Sequence, residues 1–157
     1  MSGAKILGID YGKKRIGLAM SVPGISFALA YKILEMGPVG IFGLIENIKE
    51  IIGKEQITSI VLGLPKQLNN NIGLAGREVM QFADELRKNI EIPVVLWDER
   101  FTSKQAEVLL RDVNMSHKDK RQQINVTAAQ VMLQSYLDAQ ASRAAANEPL
   151  PDEEEHD

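Results

Sequence analysis

The sequence contains no cysteine. Disulfide bonds, thiolate zinc sites and cysteine nucleophiles are therefore excluded, and any bound metal must use oxygen or histidine ligands. Long apolar runs are also missing, since none approaches the roughly 20 residues that a membrane-spanning helix requires. The N-terminal segment MSGAKILGID lacks the long uncharged stretch of a signal peptide. Together these absences predict a cytoplasmic protein that has no membrane partner.

Acidic residues outnumber basic residues over the whole chain, which leaves a deficit of positive charge and a formal net charge of −3. The deficit comes from the C-terminal end, because residues 1–147 hold all 18 Lys and Arg but only 15 of the 21 acidic residues, a net charge of +3. The last residues include two prolines, six acids and few side chains that could be buried. We expect one globular domain over residues 1–141 and a disordered acidic tail over residues 142–157.

Five segments have the composition of β-strands. Residues 5–10 and 15–20 flank a turn that contains glycine, which predicts a hairpin, and a third strand is expected around residues 26–34. The segment ITSIVLGLP is continuously apolar and rich in β-branched residues, which favours a parallel strand buried on both faces. The fifth segment is IPVVLWDER.

Four segments have the periodicity of helices. In the first, apolar residues recur at helical spacing and Gly53 stands where the helix should end. The third opens at a capping box formed by Thr102 and Gln105. A hairpin followed by alternating helices and strands predicts an α/β fold, a mixed five-stranded sheet with helices on both faces in a single domain. The helices are expected at about residues 41–52, 79–86, 102–113 and 124–141.

Acidic and amide side chains follow the ends of two strands and open the last helix. Asp10 ends the first strand, Asp98 and Glu99 end the fifth, and Asn125 begins the final helix. Ligands of open α/β sheets bind at the carboxyl ends of parallel strands, and Mg²⁺ and Mn²⁺ prefer carboxylate oxygens. These positions are candidate metal ligands. Asp10 could equally be a turn residue, and the acidic pair could bind Arg100 or cap a helix.

Four blocks of the sequence resemble, in order and spacing, the YqgF (RuvX) family. The blocks are GIDYGKKRIGLA, VLGLPKQLNNN, VVLWDERFTS and AAQVMLQSYLDA, and they extend from residue 4 to about residue 140. Proteins of this family have a ribonuclease H-like fold similar to that of the resolvase RuvC. The resemblance implies a hydrolase that uses Mg²⁺ or Mn²⁺, either a nuclease for 5′-end maturation of 16S rRNA in ribosome biogenesis or a Holliday junction resolvase.

The resemblance also assigns catalytic and metal-binding roles. The aspartate of the family's first strand corresponds to Asp10, and its acidic pair corresponds to Asp98 and Glu99. The third family position is usually an aspartate but is Asn125 in this chain. An amide oxygen can bind a metal but brings no negative charge, so at least one ion should bind more weakly. A third interpretation is therefore a nucleic-acid-binding protein whose catalysis is weakened.

Basic side chains flank the candidate site. Each alone is more simply explained as solvated surface, but as a group they favour contact with the phosphates of a nucleic acid, because they offset the repulsion from the carboxylates. Such contacts depend on salt and are blind to base sequence. The candidate phosphate-binding residues are Lys13, Lys14, Arg15, Lys66, Arg100, Lys104, Lys118, Lys120 and Arg121.

Several other residues, and one other class of protein, share features with this interpretation. Trp97, Tyr11 and Phe101 could stack on bases, but each adjoins a strand and is expected in the core. His117 could act as a general base, but a single histidine in a loop is more often incidental, so it receives no catalytic role. Actin-like and sugar-kinase ATPases share the Asp-x-Gly hairpin, but they close two such domains over a nucleotide, and 157 residues supply one. The sequence leaves open RNA or DNA as substrate, and a monomer or a homodimer.

Overall fold

The computed structural model describes residues 3–65, 72–99 and 117–146, and for residues 117–127 it describes only the backbone. Within these residues the chain forms one mixed β-sheet with helices on both faces. The helix predicted at residues 102–113 and the side chain of Phe101 lie outside the described residues. None of the described helices is long and apolar enough to cross a membrane.

The sheet has the five predicted strands. In chain order they are β1 (Ile6–Tyr11), β2 (Arg15–Ser21), β3 (Ala28–Glu35), β4 (Ser59–Leu64) and β5 (Val94–Asp98). Across the sheet the order is β3-β2-β1-β4-β5. The first three strands pair antiparallel, whereas β4 pairs parallel with β1, and β5 pairs parallel with β4. The carboxyl ends of β1, β4 and β5 therefore meet at one edge of the sheet.

The described residues form three helices, α1 (Gly40–Glu55), α2 (Leu74–Asn89) and α3 (His117–Ala146). The first helix continues past Gly53, where it was predicted to end, and stops where Gln56 adopts a left-handed conformation with φ 57° and ψ 48°. A glycine destabilises a helix by only about 1 kcal/mol. Burial of the apolar face of α1 in the core outweighs that cost.

The last helix is longer than predicted at both ends. It begins at His117, seven residues before the expected start, and ends at Ala146, five residues after the expected end. Residues 117–123 precede the predicted helix because their composition is strongly polar, but Lys, Arg and Gln are good helix formers and this stretch contains no Gly or Pro. Residues 142–146 of the predicted tail are therefore helical, and residues 147–157 lie outside the described part of the chain.

Alternate strand residues face two different helical layers. Leu7 and Ile9 of β1 lie in the larger core cluster with the buried residues of α1 and α2. Ile6 lies in a second cluster with the buried residues of α3. Gly8 also faces α3, since a Cβ added there would lie 2.9 Å from the Leu133 Cβ. These sides of the sheet are called the α1/α2 face and the α3 face below.

The strand β4 is buried on both of its faces. Ile60, Val61 and Leu62 have no exposed surface. Ile60 and Leu62 belong to the cluster on the α1/α2 face, and Val61 belongs to the cluster on the α3 face. The prediction of a parallel strand buried on both faces is confirmed.

Side chains of α3 attach the helix to two separate strands, β3 through hydrogen bonds and β5 through an aromatic contact. The Ala28 N–H donates to Gln134 Oε1 at 2.9 Å, and Gln130 Nε2 donates to the Ala28 carbonyl at 3.1 Å, so α3 holds the beginning of β3. At the end of β5, the Trp97 ring packs edge-on against Tyr136 with centroids 5.3 Å apart. These contacts set the position of α3 relative to the carboxyl ends of β1, β4 and β5.

Candidate active site

Asp10 lies in β1 near its carboxyl end and not in the turn that follows. Side chains alternate along a strand, and Gly8 faces α3, so Asp10 faces α3 as well. Its backbone pairs with Gly17 of β2, and its side chain is half-buried. The sheet thus holds this carboxyl group beside the α3 layer.

The acidic pair at the end of β5 is divided between the two faces. Leu96 belongs to the core of the α1/α2 face and Trp97 to that of the α3 face, so Asp98 returns to the α1/α2 face. Asp98 is 6% exposed. Glu99 follows directly and lies on the α3 face, where its side chain forms a hydrogen bond with Asp10.

The contact between Asp10 and Glu99 brings two carboxyl groups into a partly dehydrated site. Burial raises the pKa of Glu99 to about 7, and the negative charge of Asp10, their hydrogen bond and the charge of Asp98 act in the same direction. Burial also raises the pKa of Asp10, while the hydrogen bond from Glu99 opposes this shift. Below about pH 7 the pair shares a proton, which the Glu99 carboxyl donates to the Asp10 carboxylate.

In the metal-free protein, the shared proton reduces the repulsion between the Asp10 and Glu99 carboxylates. A divalent cation bound between them would have the same effect. Two close carboxyl groups at a half-buried sheet edge suit a hard cation that also keeps water ligands. Among the described side chains, no group of three or more His, Cys, Asp and Glu residues is arranged to hold a metal. The described part of the site therefore supplies two carboxyl groups, and further ligands would have to come from elsewhere, including water.

The third predicted ligand, Asn125, occupies a different position from the one expected. It is the ninth residue of α3 and not its first, because the helix begins at His117. The amide could therefore not act from a helix N-terminus. The side chain of Asn125 lies outside the described residues.

The predicted phosphate-binding residues are only partly described. Lys13 and Lys14 are exposed in the turn between β1 and β2, and Arg15 is half-buried at the start of β2. This turn directly follows the strand that carries Asp10. Lys118, Lys120 and Arg121 lie in the first turns of α3, where only the backbone is described, and Lys66, Arg100 and Lys104 lie outside the described residues.

The described aromatic residues take the predicted core positions. Trp97 is 4% exposed and packs in the α3 cluster. Tyr11 is half-buried against the larger core cluster, and the centroid of its ring lies 4.6 Å from the centroid of the Phe82 ring. Burial, followed by the charge of Glu78, raises the pKa of Tyr11. Neither ring was expected to stack on bases, and their packing agrees with that expectation.

Sequence reasoning missed Gly63. This residue lies in β4, between the strand β1 that carries Asp10 and the strand β5 that Glu99 follows, and a Cβ added there would be 2.7 Å from Glu99 Oε1. A signal was available, because glycine inside an apolar strand often marks a place where another group approaches the backbone closely.

A cavity lies on the α1/α2 face of the sheet, opposite the face of Asp10 and Glu99. It has a volume of about 640 Å³ and is lined by Tyr11 and Phe42 together with acidic residues of α2. Phe42 is 77% exposed. The acids are Glu78, Asp84 and Glu85, and the lining also includes Lys88. Excess negative charge makes this cavity a poor site for phosphates.

The fold is that of the ribonuclease H-like resolvases. The chain superimposes on RuvC of Thermus thermophilus in complex with a Holliday junction substrate with a TM-score of 0.56 and 13% identity, covering 94% of this chain and 99% of RuvC. The yeast mitochondrial Holliday junction resolvase gives a TM-score of 0.58 and 11% identity, covering 92% of this chain and 82% of that protein. The predicted ribonuclease H-like fold is confirmed.

The sequence itself matches the model of the RuvX family, described as a Holliday junction resolvase, over residues 4–139. A protein of Caldanaerobacter subterraneus is 40% identical over 137 residues, which cover 87% of this chain and 97% of the relative. A protein of Bacillus cereus is 38% identical over 136 residues, covering 86% and 98%. Both bear the name "Putative pre-16S rRNA nuclease". The chain belongs to the RuvX family, which favours the nuclease interpretation over the ATPase alternative.

Proposed function

We propose that this protein is a metal-dependent endonuclease that hydrolyses phosphodiester bonds in structured nucleic acid. The observation that carries the proposal is the contact between Asp10 and Glu99. Two carboxyl groups held together in a partly dehydrated site destabilise each other's charged forms, and such arrangements are typical of functional sites. A bound divalent cation would offset that cost. Membership of the RuvX family supplies the reaction class.

Asp10 and Glu99 would hold Mg²⁺ or Mn²⁺ on the α3 face. The bound cation supplies an activated water and neutralises charge on the leaving oxygen. The two residues would bind as carboxylates, which requires the loss of their shared proton. Asp98 faces the opposite side of the sheet, so we assign Glu99 and not Asp98 as the metal-binding member of the pair. Asp98 contributes a negative charge that raises the pKa of Glu99.

The nucleic acid would approach from the α3 face. The exposed Lys13 and Lys14 lie in the turn after β1 and would contact phosphates near Asp10, with Arg15 at the base of that turn. The acidic cavity on the other face disfavours approach from that side. Backbone contacts of this kind position the substrate and carry no base specificity.

The substrate we propose is the precursor of 16S rRNA, cleaved during 5′-end maturation. The proposal is supported by relatives named "Putative pre-16S rRNA nuclease", whose alignments cover 87–88% of this chain. Such a role would place the protein in the cytoplasm. A Holliday junction is the second candidate, because the solved structure of RuvC that shares this fold holds that substrate. A junction resolvase would act as a homodimer, whereas an RNA nuclease could act as a monomer.

Asn125 defines a further alternative. If it occupies the third ligand position, the site carries one negative charge fewer than in relatives with aspartate, and the protein could bind nucleic acid with weakened cleavage. Cleavage by the purified wild-type chain decides between these possibilities.

The test is cleavage of two labelled substrates by the full chain. An RNA spanning the 5′ end of 16S rRNA and its precursor, and a four-way DNA junction, are each incubated with Mg²⁺, with Mn²⁺ and with EDTA. We expect metal-dependent cuts in at least one substrate, abolished by Asp10→Asn. The matched control is Asp84→Asn, an exposed aspartate of α2, which should cleave like wild type. Activity that survives Asp10→Asn would refute the assigned site.

A further inference from the structure

Asp10 and Glu99 meet across an intervening strand. In the sheet, β1 and β5 each pair with β4 and not with each other. Neighbouring strands lie about 4.8 Å apart, so the backbones of β1 and β5 are about 10 Å apart. The hydrogen bond between the two side chains must therefore pass over β4.

Gly63 is the β4 residue beneath this contact. It pairs with Trp97 of β5, which faces α3, so any side chain at position 63 would face α3 too. The pairing of Ile9 with Leu62 places Gly63 beside Asp10 on its other side. A Cβ added to Gly63 would lie 2.7 Å from Oε1, 3.2 Å from Cγ and 3.3 Å from Cδ of Glu99. The space that a side chain would fill is occupied by Glu99.

Backbone conformation does not explain this glycine. The glycines with positive φ among the described residues are Gly24, Gly37 and Gly40, so the conformation at Gly63 is open to any residue. Glycine in a strand interior destabilises the fold and offers nothing to pack. Its neighbours Leu62 and Leu64 are buried apolar residues, as expected for a central strand.

We infer that Gly63 is a positioning residue of the active site, whose missing side chain opens the path by which Glu99 reaches Asp10 across β4. The inference rests on the proposed function, because it assigns Gly63 a role in holding the proposed metal-binding pair. It also makes a geometric claim that can be tested without metal or substrate.

Gly63→Ala should displace the side chain of Glu99 and leave the β-sheet unchanged. The atom nearest to the added methyl group is the far end of Glu99, which can swing away, whereas the backbone of β4 is held by pairing on both sides. We expect a folded protein in which Glu99 no longer contacts Asp10. Its affinity for Mn²⁺ should fall about 10- to 100-fold, the range seen when outer-shell support of a metal ligand is lost. The kcat should fall while KM for the nucleic acid stays unchanged.

The experiment compares Gly63→Ala with Gly53→Ala and with Gly63→Ala in a Glu99→Ala background. Gly53 lies in α1, and a Cβ there meets nothing within 4 Å, so its substitution controls for the loss of a glycine. Each protein is tested for folding by circular dichroism, for Mn²⁺ affinity by electron paramagnetic resonance, and for kcat and KM. A crystal structure of metal-free Gly63→Ala reports the position of Glu99.

The inference predicts lower Mn²⁺ affinity and kcat in Gly63→Ala, wild-type behaviour in Gly53→Ala, and a crystal structure of Gly63→Ala in which Glu99 has moved away from Asp10. Wild-type affinity and kcat in folded Gly63→Ala would overturn it, as would a Glu99 side chain that still contacts Asp10 in that crystal structure. If Gly63→Ala does not fold, recovered folding in the Glu99→Ala background supports the inference, and continued unfolding overturns it. If wild type neither binds Mn²⁺ nor cleaves, the proposed function fails, and the crystal structure alone decides whether Gly63 positions Glu99.

Discussion

Replacing Glu99 by glutamine should stabilise the metal-free protein while it destroys the proposed activity. Glutamine has the shape of glutamate and can still donate a hydrogen bond to Asp10, but it carries no charge. In wild type, burial and the negative charges of Asp10 and Asp98 destabilise the charged form of Glu99. Glu99→Gln removes this cost because glutamine carries no charge, so a loss of function should accompany a gain of stability.

The magnitude and the pH range follow from the pKa of Glu99. Folding raises this pKa from 4.5 to about 7, so the folded protein binds more protons than the unfolded chain between these values. Stability therefore falls as pH rises through this window, and the full cost is present above pH 7. One pKa unit corresponds to about 1.4 kcal/mol, which gives an upper limit of about 3 kcal/mol. Because Glu99 keeps some contact with solvent, we expect a gain of about 1–2 kcal/mol.

The assay is thermal unfolding in EDTA at pH 8 and at pH 5. At pH 8, Glu99→Gln should melt roughly 2–8 °C above wild type. At pH 5 the difference should be small, because Glu99 of the folded wild type is then protonated. The control is Glu91→Gln, which alters an exposed glutamate and should change stability by less than about 0.5 kcal/mol at either pH. A variant no more stable than wild type at pH 8, or equally stabilised at both pH values, would refute this reasoning.

Three further changes test other parts of the molecule. Asn125→Asp should raise Mn²⁺ affinity and the cleavage rate if this position supplies the third ligand, and unchanged titration and kinetics would refute that assignment. The double variant Lys13→Ala/Lys14→Ala should have a higher KM. On duplex DNA, the slope of log affinity against log salt concentration should become shallower by about 2. An unchanged slope would exclude phosphate contacts by these two lysines. Leu133→Ala, at a fully buried position of α3, should lower the free energy of unfolding by about 2–5 kcal/mol in urea titrations, and a loss below 1 kcal/mol would contradict the packing against Gly8.

The strands could be predicted because their burial leaves a clear mark on the sequence. The apolar run around Val61 predicts a central strand, and it lies buried between two helical layers. Helix boundaries were less predictable, because they depend on tertiary packing. Gly53 stands where a helix commonly ends, yet α1 continues through it because its apolar face stays buried. Polar composition before Ile124 suggested a loop, but those residues also favour helix.

The site was predictable as a set of acids but not as a geometry. Resemblance and strand ends together pointed to Asp10, Asp98 and Glu99. Sequence could not separate Asp98 from Glu99, since the choice depends on which face of the sheet each side chain occupies. Gly63 was not identified, because its role depends on a contact between the first and fifth strands that passes over the fourth.

The central claim is that Asp10 and Glu99 together bind a divalent cation on the α3 face. Crystals of the full chain soaked in Mn²⁺ test it directly through the anomalous scattering of manganese. We predict a peak between the two carboxyl groups that is lost in Asp10→Asn. A wild-type crystal with manganese bound elsewhere, and the Asp10–Glu99 hydrogen bond still intact, would contradict the account.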